Sequence, residues 1–508
     1  MIIRKAKKAD VGLLLEGTFP FVSGGVSSWV NQIIRGFPEL TFAICFIGSR
    51  RQDYGEMRYE LAENVVHVEA HFIHDAGSSG PVKPRQGDPA IAKKIGELHE
   101  YFRCPHQDVS QNPTQDIIKA FRDGHYEEED FLYSKSSWNY ITEQYREHCT
   151  DPSFVDYFWT VRIMHSPIWK LIRIAEKFID VGVYHSISTG YAGYLGALLH
   201  QRTGKKLLLT EHGIYTKERR IDLFQAQWIS DNRNVLEKDN TEIAYFRQMW
   251  VRFFNALGRE CYQNADRIFS LYEVNRQRQI ADGAPPALTA CIPNGIDFPR
   301  FEALQQQRAP GVPLTVCFIG RIVPIKDVKT FIRAMRTVAN QLPDVEIWIA
   351  GPEEEDAEYA RDCHHLAEGL GLGEHLKFLG YQQVADLLPK TGVLVLSSIS
   401  EALPLVVLEA NAAGVPCVTT DVGSCRQLIE GDTDEDRALG HSGAVVGIAD
   451  PIALAEAIVA LLTNSDVWHA AQKAGIERVR RYYTEVGMLA QYRAVYTSAL
   501  ASPPGGDA

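Results

Sequence analysis

Two series of strand-length apolar runs alternate with helix-length segments and are joined by one Pro-Asn-Gly connection; this constrains the chain more than any other feature. In the first series VGLLLEG (11–17), TFAICFIG (41–48), VGVYHS (181–186), KKLLLTEHG (205–213) and DRIFSLY (266–272) read as strands. Their unbroken apolar character is that of strands buried on both faces. SSWVNQIIRGF (27–37), PIWKLIRIAEKFI (167–179) and GYAGYLGALLHQRTG (190–204) read as helices, the second of them with Ser166 as N-cap and Pro167 at its first position. CIPNGIDFPR (291–300) reads as the connection.

After it the alternation restarts. LTVCFIGR (314–321), VEIWIAG (345–351), LKFLG (376–380), GVLVLSS (392–398), GVPCVTT (414–420) and GAVVGI (443–448) read as strands. The segments 327–342, 357–369, 404–414 and 451–464 read as helices. Two βα series predict two parallel sheets, each covered by helices. The boundaries that follow are an N-terminal Rossmann-like domain over 1–298 and a C-terminal one over 299–482. A last helix, about 483–500, would pack back on the first domain. Residues 75–150 break the pattern: 74–89 reads as a loop, and Ile91, Ile95, Leu98 and Phe102 recur at helical spacing. This stretch is expected to be an insertion forming a helical arm.

Composition excludes several classes. With 508 residues and a net charge of −12, the chain lacks the positive field that nonspecific binding to nucleic acid or anionic lipid requires. Nine cysteines, none in a CxxC pair and several inside apolar strands, fit free thiols in a reducing compartment, so a cytoplasmic location is expected. The basic N-terminus precedes an apolar run too short for a secretory leader, so it is expected to open the first strand. The tail SPPGGDA (502–508) is expected to be disordered.

Four constellations can carry chemistry. In SISEALPLVVLEANAAGVPCVTTDVGS (398–424), Glu401 and Glu409 are separated by seven residues, and Pro404 suits a first helical turn. Eight helical steps would put the carboxylates about 12 Å apart, a span suited to the sugar and the ribose of one nucleotide-sugar. The diphosphate would lie at the helix N-terminus, near Leu403 and Leu405, where free N–H groups favour anions. In GRIVPIKD (320–327), Arg321 and Lys326 follow a strand at the end where open α/β sheets bind ligands. Gly24 and Gly25 in FVSGGVSS permit close backbone approach before a helix. In TEHGIYTKERR (210–220), His212 can hydrogen-bond a sugar, and Arg219 and Arg220 can meet phosphate or an acceptor. Each of these also has a purely structural reading as surface charge, turn or loop. The Asp-x-Asp of DTD (432–434) lies late in an acidic loop and is not expected to bind a metal.

Together, PNGID, GR…K and E-x7-E followed by GVP…T-DVG resemble the retaining GT-B glycosyltransferases of family 4, in that order and spacing. The resemblance implies a GT-B fold: two Rossmann-like domains facing a cleft, here with a helical insertion in the N-terminal domain. It implies that Arg321 and Lys326 bind the donor diphosphate, that Glu401 and His212 lie by the sugar, and that Glu409 binds the ribose. Gly24 and Gly25 would lie against phosphate or sugar, and Gly380 and Tyr381 against uracil. Catalysis would rest on Glu401, Lys326, Arg321 and His212, without metal or cofactor. The family usually carries Glu-Gly where this chain has Glu401-Ala402, and alanine would be strained there if the position needs a positive φ. Within the family, EHGIYTKERR and the insertion are similar to the transferases of bacterial Pel exopolysaccharide synthesis. That implies transfer of a hexose or N-acetylhexosamine from a UDP-sugar to a growing α-linked polysaccharide in biofilm formation. It also implies partners among the inner-membrane proteins of synthesis and export. The competing readings are a nucleotide-sugar 2-epimerase and a non-catalytic scaffold of such a complex.

Overall fold

The computed structural model describes residues 1–75, 85–103, 127–149, 153–225 and 245–501. Parts of the 74–89 loop and the 75–150 insertion, and the 502–508 tail, lie outside the described residues. The chain divides into two compact units. The first comprises Met1–Ser270, Asn275–Cys291 and Arg493–Ala508; the second comprises Leu271–Val274 and Ile292–Tyr492.

The first unit is built on β1 (Ile2–Arg4), β2 (Lys8–Glu16), β3 (Phe42–Gly48), β4 (Val65–Phe72), β5 (Asp180–Ser186), β6 (Lys206–Glu211), β7 (Arg267–Ser270) and β8 (Thr289–Cys291). Their order is β1-β4-β3-β2-β5-β6-β7-β8, parallel except for the β1–β4 pair. Strand order reverses between β2 and β5. Side chains alternate across the pleat. Leu14, Cys45 and Ile47 join the helices Phe154–Lys177, Tyr191–Thr203 and Tyr245–Asn264 in one apolar cluster, whereas Phe46 and Ala70 pack on Phe21 in another.

Two expectations for this unit need correction. Pro167 does not open a helix; it lies inside the 24-residue helix Phe154–Lys177, whose N-cap is Ser153. Tyr157, Val161, Met164, Ile168, Leu171, Ile172 and Ala175 are buried along it. Burial of about 1.5–3 kcal/mol per large side chain outweighs the roughly 3 kcal/mol that an interior proline costs. The described part of the insertion also packs into the core and forms no separate arm. Its described helices Pro89–Arg103, Glu128–Tyr133 and Lys135–His148 place Ile95, Leu98, Phe131 and Ile141 in the main core cluster of the unit. Strand β4, VVHVEAHF, and the helix Tyr245–Asn264 were not foreseen from sequence.

The second unit holds β9 (Thr315–Ile319), β10 (Glu346–Ala350), β11 (Leu376–Gly380), β12 (Val393–Leu396), β13 (Cys417–Thr420) and β14 (Gly443–Val446). The order β11-β10-β9-β12-β13-β14 is parallel throughout and is the doubly wound Rossmann order, with the switch point between β9 and β12. In the PNGID segment a Cβ on Gly295 would stand 2.3 Å from the Thr484 carbonyl oxygen, so only glycine fits. Asp297 caps the short helix Phe298–Glu302 that follows. The last helix, Glu485–Ala501, begins in the second unit, and its residues from Arg493 onward belong to the first. There Tyr496 donates to or accepts from His185 Nδ1 at 2.8 Å and meets Phe37 edge-on.

Candidate active site

In the second unit, the residues singled out from sequence follow the carboxyl ends of the strands. Gly320 and Arg321 follow β9, Gly351 follows β10, Tyr381 follows β11, and Ser397 to Glu401 follow β12. The loops after β9 and β12 flank the switch point, and backbone and side-chain bonds tie them together. Ile399 N donates to Ile325 O at 2.9 Å, and Ser397 Oγ donates to Lys326 O at 3.0 Å. Lys326 ends a short 3₁₀ turn, and Asp327 beside it takes the left-handed conformation, φ 43°, while capping the helix Val328–Gln341. A non-glycine residue held there is mild strain that fixes the direction of the turn.

The structure brings Lys326 and Glu401 together: Lys326 Nζ donates to the Glu401 carboxylate, both side chains being mostly buried. Ser398 Oγ donates to the same carboxylate at 2.6 Å. Behind Glu401, Gly423 of the DVG segment has φ 56°, and a Cβ on it would lie 2.3 Å from the Glu401 carbonyl oxygen. That close approach, with Ser424 N donating to Ala402 O at 2.9 Å, explains the glycine. Among the described residues the non-glycine positions with positive φ are Asp327 and Ala449, so Ala402 carries no such strain.

The helix after this loop spans only Leu405–Ala412, with Pro404 as N-cap and no side chain capping it. Glu401 therefore lies in the loop, and the separation of about 12 Å expected from eight helical steps does not apply. Leu403 is buried. Glu409 sits on the helix itself; burial pushes its carboxyl up to about 7, opposed by Arg300. Arg321 is not joined to Lys326. Its guanidinium meets the Glu355 carboxylate at 2.5 and 2.7 Å, with both side chains about half exposed, a pairing that contributes little to stability. Gly380 has φ 62° and accepts from Gly351 N at 2.8 Å, and Tyr381 beside it is 71% exposed. The DTD loop serves the fold, since Thr433 caps the helix Asp434–Arg437 and Asp432 N donates to Asp436 at 3.0 Å. Asp436 in turn pairs at 2.6 Å with Arg478, whose side chain is fully buried.

In the first unit, a cavity of about 470 Å³ opens at the carboxyl edge of the sheet. It is walled by residues that follow β2, β3, β4, β5 and β6, among them Glu16, Ser49, His74, Ser188 and His212. His212 is buried, and neither ring nitrogen has a hydrogen-bond partner among the described residues. Burial lowers its pKa to about 4, so the ring is neutral near pH 7, and Trp29 meets it edge-on at 4.8 Å. Buried polar atoms without partners are uncommon and mark a place for a ligand or water. Gly24 is the N-cap and Gly25 the first residue of the helix Gly25–Gly36, and among the described residues no atom lies within 4 Å of a Cβ built on either. Nothing inside the unit therefore demands glycine at these two positions. They do not line the cavity, although Val26 does.

Sequence reasoning missed the polar frame of this cavity. Glu16 accepts from Tyr215 Oη at 2.7 Å and from Ala192 N at 3.2 Å, with Arg219 3.9 Å away. Arg219 lies over the rings of Tyr215 and Phe254. Behind the cavity lining rather than in it, Glu211, fully buried, accepts from Tyr262 Oη at 2.6 Å, Gln279 Nε2 at 3.0 Å and Thr189 Oγ1 at 3.0 Å. Burial raises its pKa and these donors oppose the rise. The clue in sequence was a carboxylate ending each of two apolar strands, Glu16 and Glu211.

Comparison with known proteins agrees with this architecture. Residues 9–287, more than half of the chain, match the family described as "Domain of unknown function (DUF3492)", and residues 299–478 match "Glycosyl transferases group 1". A D-inositol 3-phosphate glycosyltransferase of Corynebacterium urealyticum is 25% identical over 307 residues, covering 56% of this chain and 69% of that protein. A phosphatidyl-myo-inositol mannosyltransferase of Mycobacterium leprae is 32% identical over 219 residues, 42% of this chain; the chain spans 54% of that relative's length. Sucrose-phosphate synthase from Thermosynechococcus elongatus has a TM-score of 0.56 at 17% identity, covering 97% of this chain and 100% of its own. Anabaena HepE, solved in complex with UDP and glucose, has a TM-score of 0.53 at 14% identity, covering 96% and 99%. The chain thus belongs to the DUF3492 family and has a GT-B fold, its second unit matching the group 1 glycosyltransferases over residues 299–478.

Proposed function

We propose that this chain transfers a hexose or N-acetylhexosamine from a UDP-sugar to a growing α-linked exopolysaccharide of the Pel type, with retention and without a metal ion. The observation that carries the reading is the Lys326–Glu401 pair at the switch point of the second unit, directly before a helix whose first turn no side chain caps. Free N–H groups and a lysine suit a diphosphate. A carboxylate beside them suits a sugar ring that gains positive charge. Glu409 would accept the ribose hydroxyls, Tyr381 and Gly380 would meet the base, and Arg321 would leave Glu355 for phosphate.

In the transfer, the acceptor hydroxyl oxygen forms its bond to the anomeric carbon on the face from which the sugar–phosphate bond breaks. The departing phosphate oxygen takes the acceptor proton, and UDP leaves. Lys326 stabilises the charge on that leaving group, the kind of preorganised contact that contributes most to such rates. The neutral His212 would hydrogen-bond the sugar, and Gly24 and Gly25 would let backbone approach it closely. Polysaccharide export places the acceptor at a membrane, so inner-membrane proteins of synthesis and export are the proposed partners.

The experiment is release of UDP and formation of glycoside by the purified chain. UDP-hexoses and UDP-N-acetylhexosamines serve as donors, with oligosaccharide acceptors and inositol 3-phosphate in parallel. Glycoside with retained configuration on the oligosaccharide supports the reading. Transfer to inositol 3-phosphate alone, a free 2-epimer, or no turnover with any donor would overturn it.

A further inference from the structure

We propose that Cys45, Glu69 and His71 form a zinc-class metal site within the sheet of the first unit, apart from the residues assigned to transfer. Cys45 on β3 and Glu69 on β4 are direct partners in the parallel register, and His71 lies two residues beyond Glu69 on the same face. The thiol sulfur, a carboxylate oxygen and an imidazole nitrogen lie within 4.8 Å of one another. Cys45 and Glu69 are buried, and the His71 side chain is 31% exposed, which leaves a route from solvent.

The polar groups at this spot converge on one buried carboxylate. Glu69 carries its carboxylate among apolar residues, flanked by His71 Nε2 at 3.1 Å and His67 Nε2 at 3.5 Å. Both nitrogens face the carboxylate as ion-pair partners, and among the described residues neither meets the angle of a well-formed hydrogen bond. Buried polar atoms left this way call for an explanation, and an ion between the ligands supplies one. His67 has the position of an outer-shell partner. Its Nδ1 accepts from Ala6 N at 3.3 Å, which leaves Nε2–H to face Glu69.

The donor set selects the metal. One thiolate, one imidazole and one carboxylate suit Zn²⁺ and its neighbours, whereas Mg²⁺ and Ca²⁺ need oxygen ligands. Bond lengths of about 2.0–2.3 Å around a tetrahedral ion put ligand atoms about 3.5 Å from one another, between the 3.1 Å of the Glu69–His71 contact and the 4.8 Å limit of the cluster, so small side-chain shifts suffice. Burial and the Glu69 charge push the Cys45 thiol up, so binding displaces its proton to solvent. Water entering beside His71 completes the coordination. The ion would clip β3 to β4, whose outer neighbour is the three-residue strand β1.

The test uses the full, tag-free chain stripped of metal and titrated with Zn²⁺ and Co²⁺. One ion per chain is expected, with a thiolate-to-cobalt charge-transfer band and a higher melting temperature. Cys45→Ser should abolish the band, and His67→Gln should keep it while weakening affinity about 10- to 100-fold. Absence of binding, cobalt binding without the thiolate band, or undiminished binding in both Cys45→Ser and His71→Ala would overturn the proposal. If Cys45→Ser fails to fold, the wild-type cobalt spectrum decides alone.

Discussion

Lys326 and Glu401 are 75 residues apart in sequence and joined in an ion pair, each presented by the loop that follows one of two adjacent parallel strands. Because β9 and β12 are neighbours at the switch point, any ligand bound there meets both residues. Lys326→Ala should leave a folded chain, since Ser398 still donates to Glu401. Turnover should fall about 10²–10³-fold, the size of one lost transition-state donor. Steady-state rates on a variant with a native melting profile check this, and wild-type turnover would contradict it.

Glu401→Gln keeps the shape of the loop and removes the charge. A carboxylate beside a ring that gains positive charge acts in the transition state more than in the ground state, so kcat should drop with UDP affinity nearly unchanged. Kinetics together with calorimetry distinguish this from a binding role. A tenfold loss of UDP affinity, about 1.4 kcal/mol, would show that Glu401 holds the donor instead.

His212 should act as a neutral hydrogen-bonding group. With its pKa lowered to about 4 by burial, it is already unprotonated throughout the neutral range. His212→Ala should lower kcat about tenfold, as expected for one neutral hydrogen bond, without altering the pH profile above about pH 5. A wild-type acid limb near about 6.5 that disappears in His212→Gln would show a titrating histidine instead.

The second unit was legible in the sequence almost strand for strand, because its strands are short, largely apolar runs, with Lys377 of β11 the one charge between the ends of a strand. The first unit was less so, for physical reasons. Strand β4 puts His67, Glu69 and His71 on one face, which breaks the apolar signal even though His67 and Glu69 are buried. Pro167 imitates a helix start because its cost is outweighed by packing that only the tertiary structure reveals. The helix Tyr245–Asn264 carries arginines at 247, 252 and 259 that blur its apolar stripe. Lys326, Glu401 and Glu409 could be singled out as candidates because motif spacing is local. The Glu16–Tyr215 bond joins residues 199 positions apart, and no local pattern announces it. The Arg321–Glu355 pairing was hidden for the same reason.

Stability of the second unit should depend on Asp436. Its pair with the fully buried Arg478 is accompanied by Arg478 donating to the carbonyls of Ile429 at 2.7 Å and Gly440 at 2.7 Å. Asp436→Ala leaves a buried guanidinium without its counter-charge and should cost about 3–5 kcal/mol. Differential scanning calorimetry should show the transition of that unit lowered by about 10 °C or more. A shift within error of zero would mean that the pair carries no net stability.

Nucleotide binding by the second unit, with Glu409 on the ribose, is read by calorimetric titration with UDP, GDP and ADP. Burial raises the Glu409 carboxyl to about 7, so without ligand it binds its proton more tightly folded than unfolded. Its contribution to stability is therefore complete at acid pH and lost as pH rises through about 7. A carboxylate that accepts the ribose hydroxyls must be ionised, so UDP binding should release a proton near neutral pH and tighten as pH rises. The expected result is UDP binding preferred over GDP and ADP, with heats that vary with buffer ionisation enthalpy below about pH 7. Glu409→Gln should abolish that variation and weaken UDP at least about tenfold. No nucleotide binding by the intact chain, or UDP binding unchanged in both Glu409→Gln and Lys326→Ala, would contradict the claim.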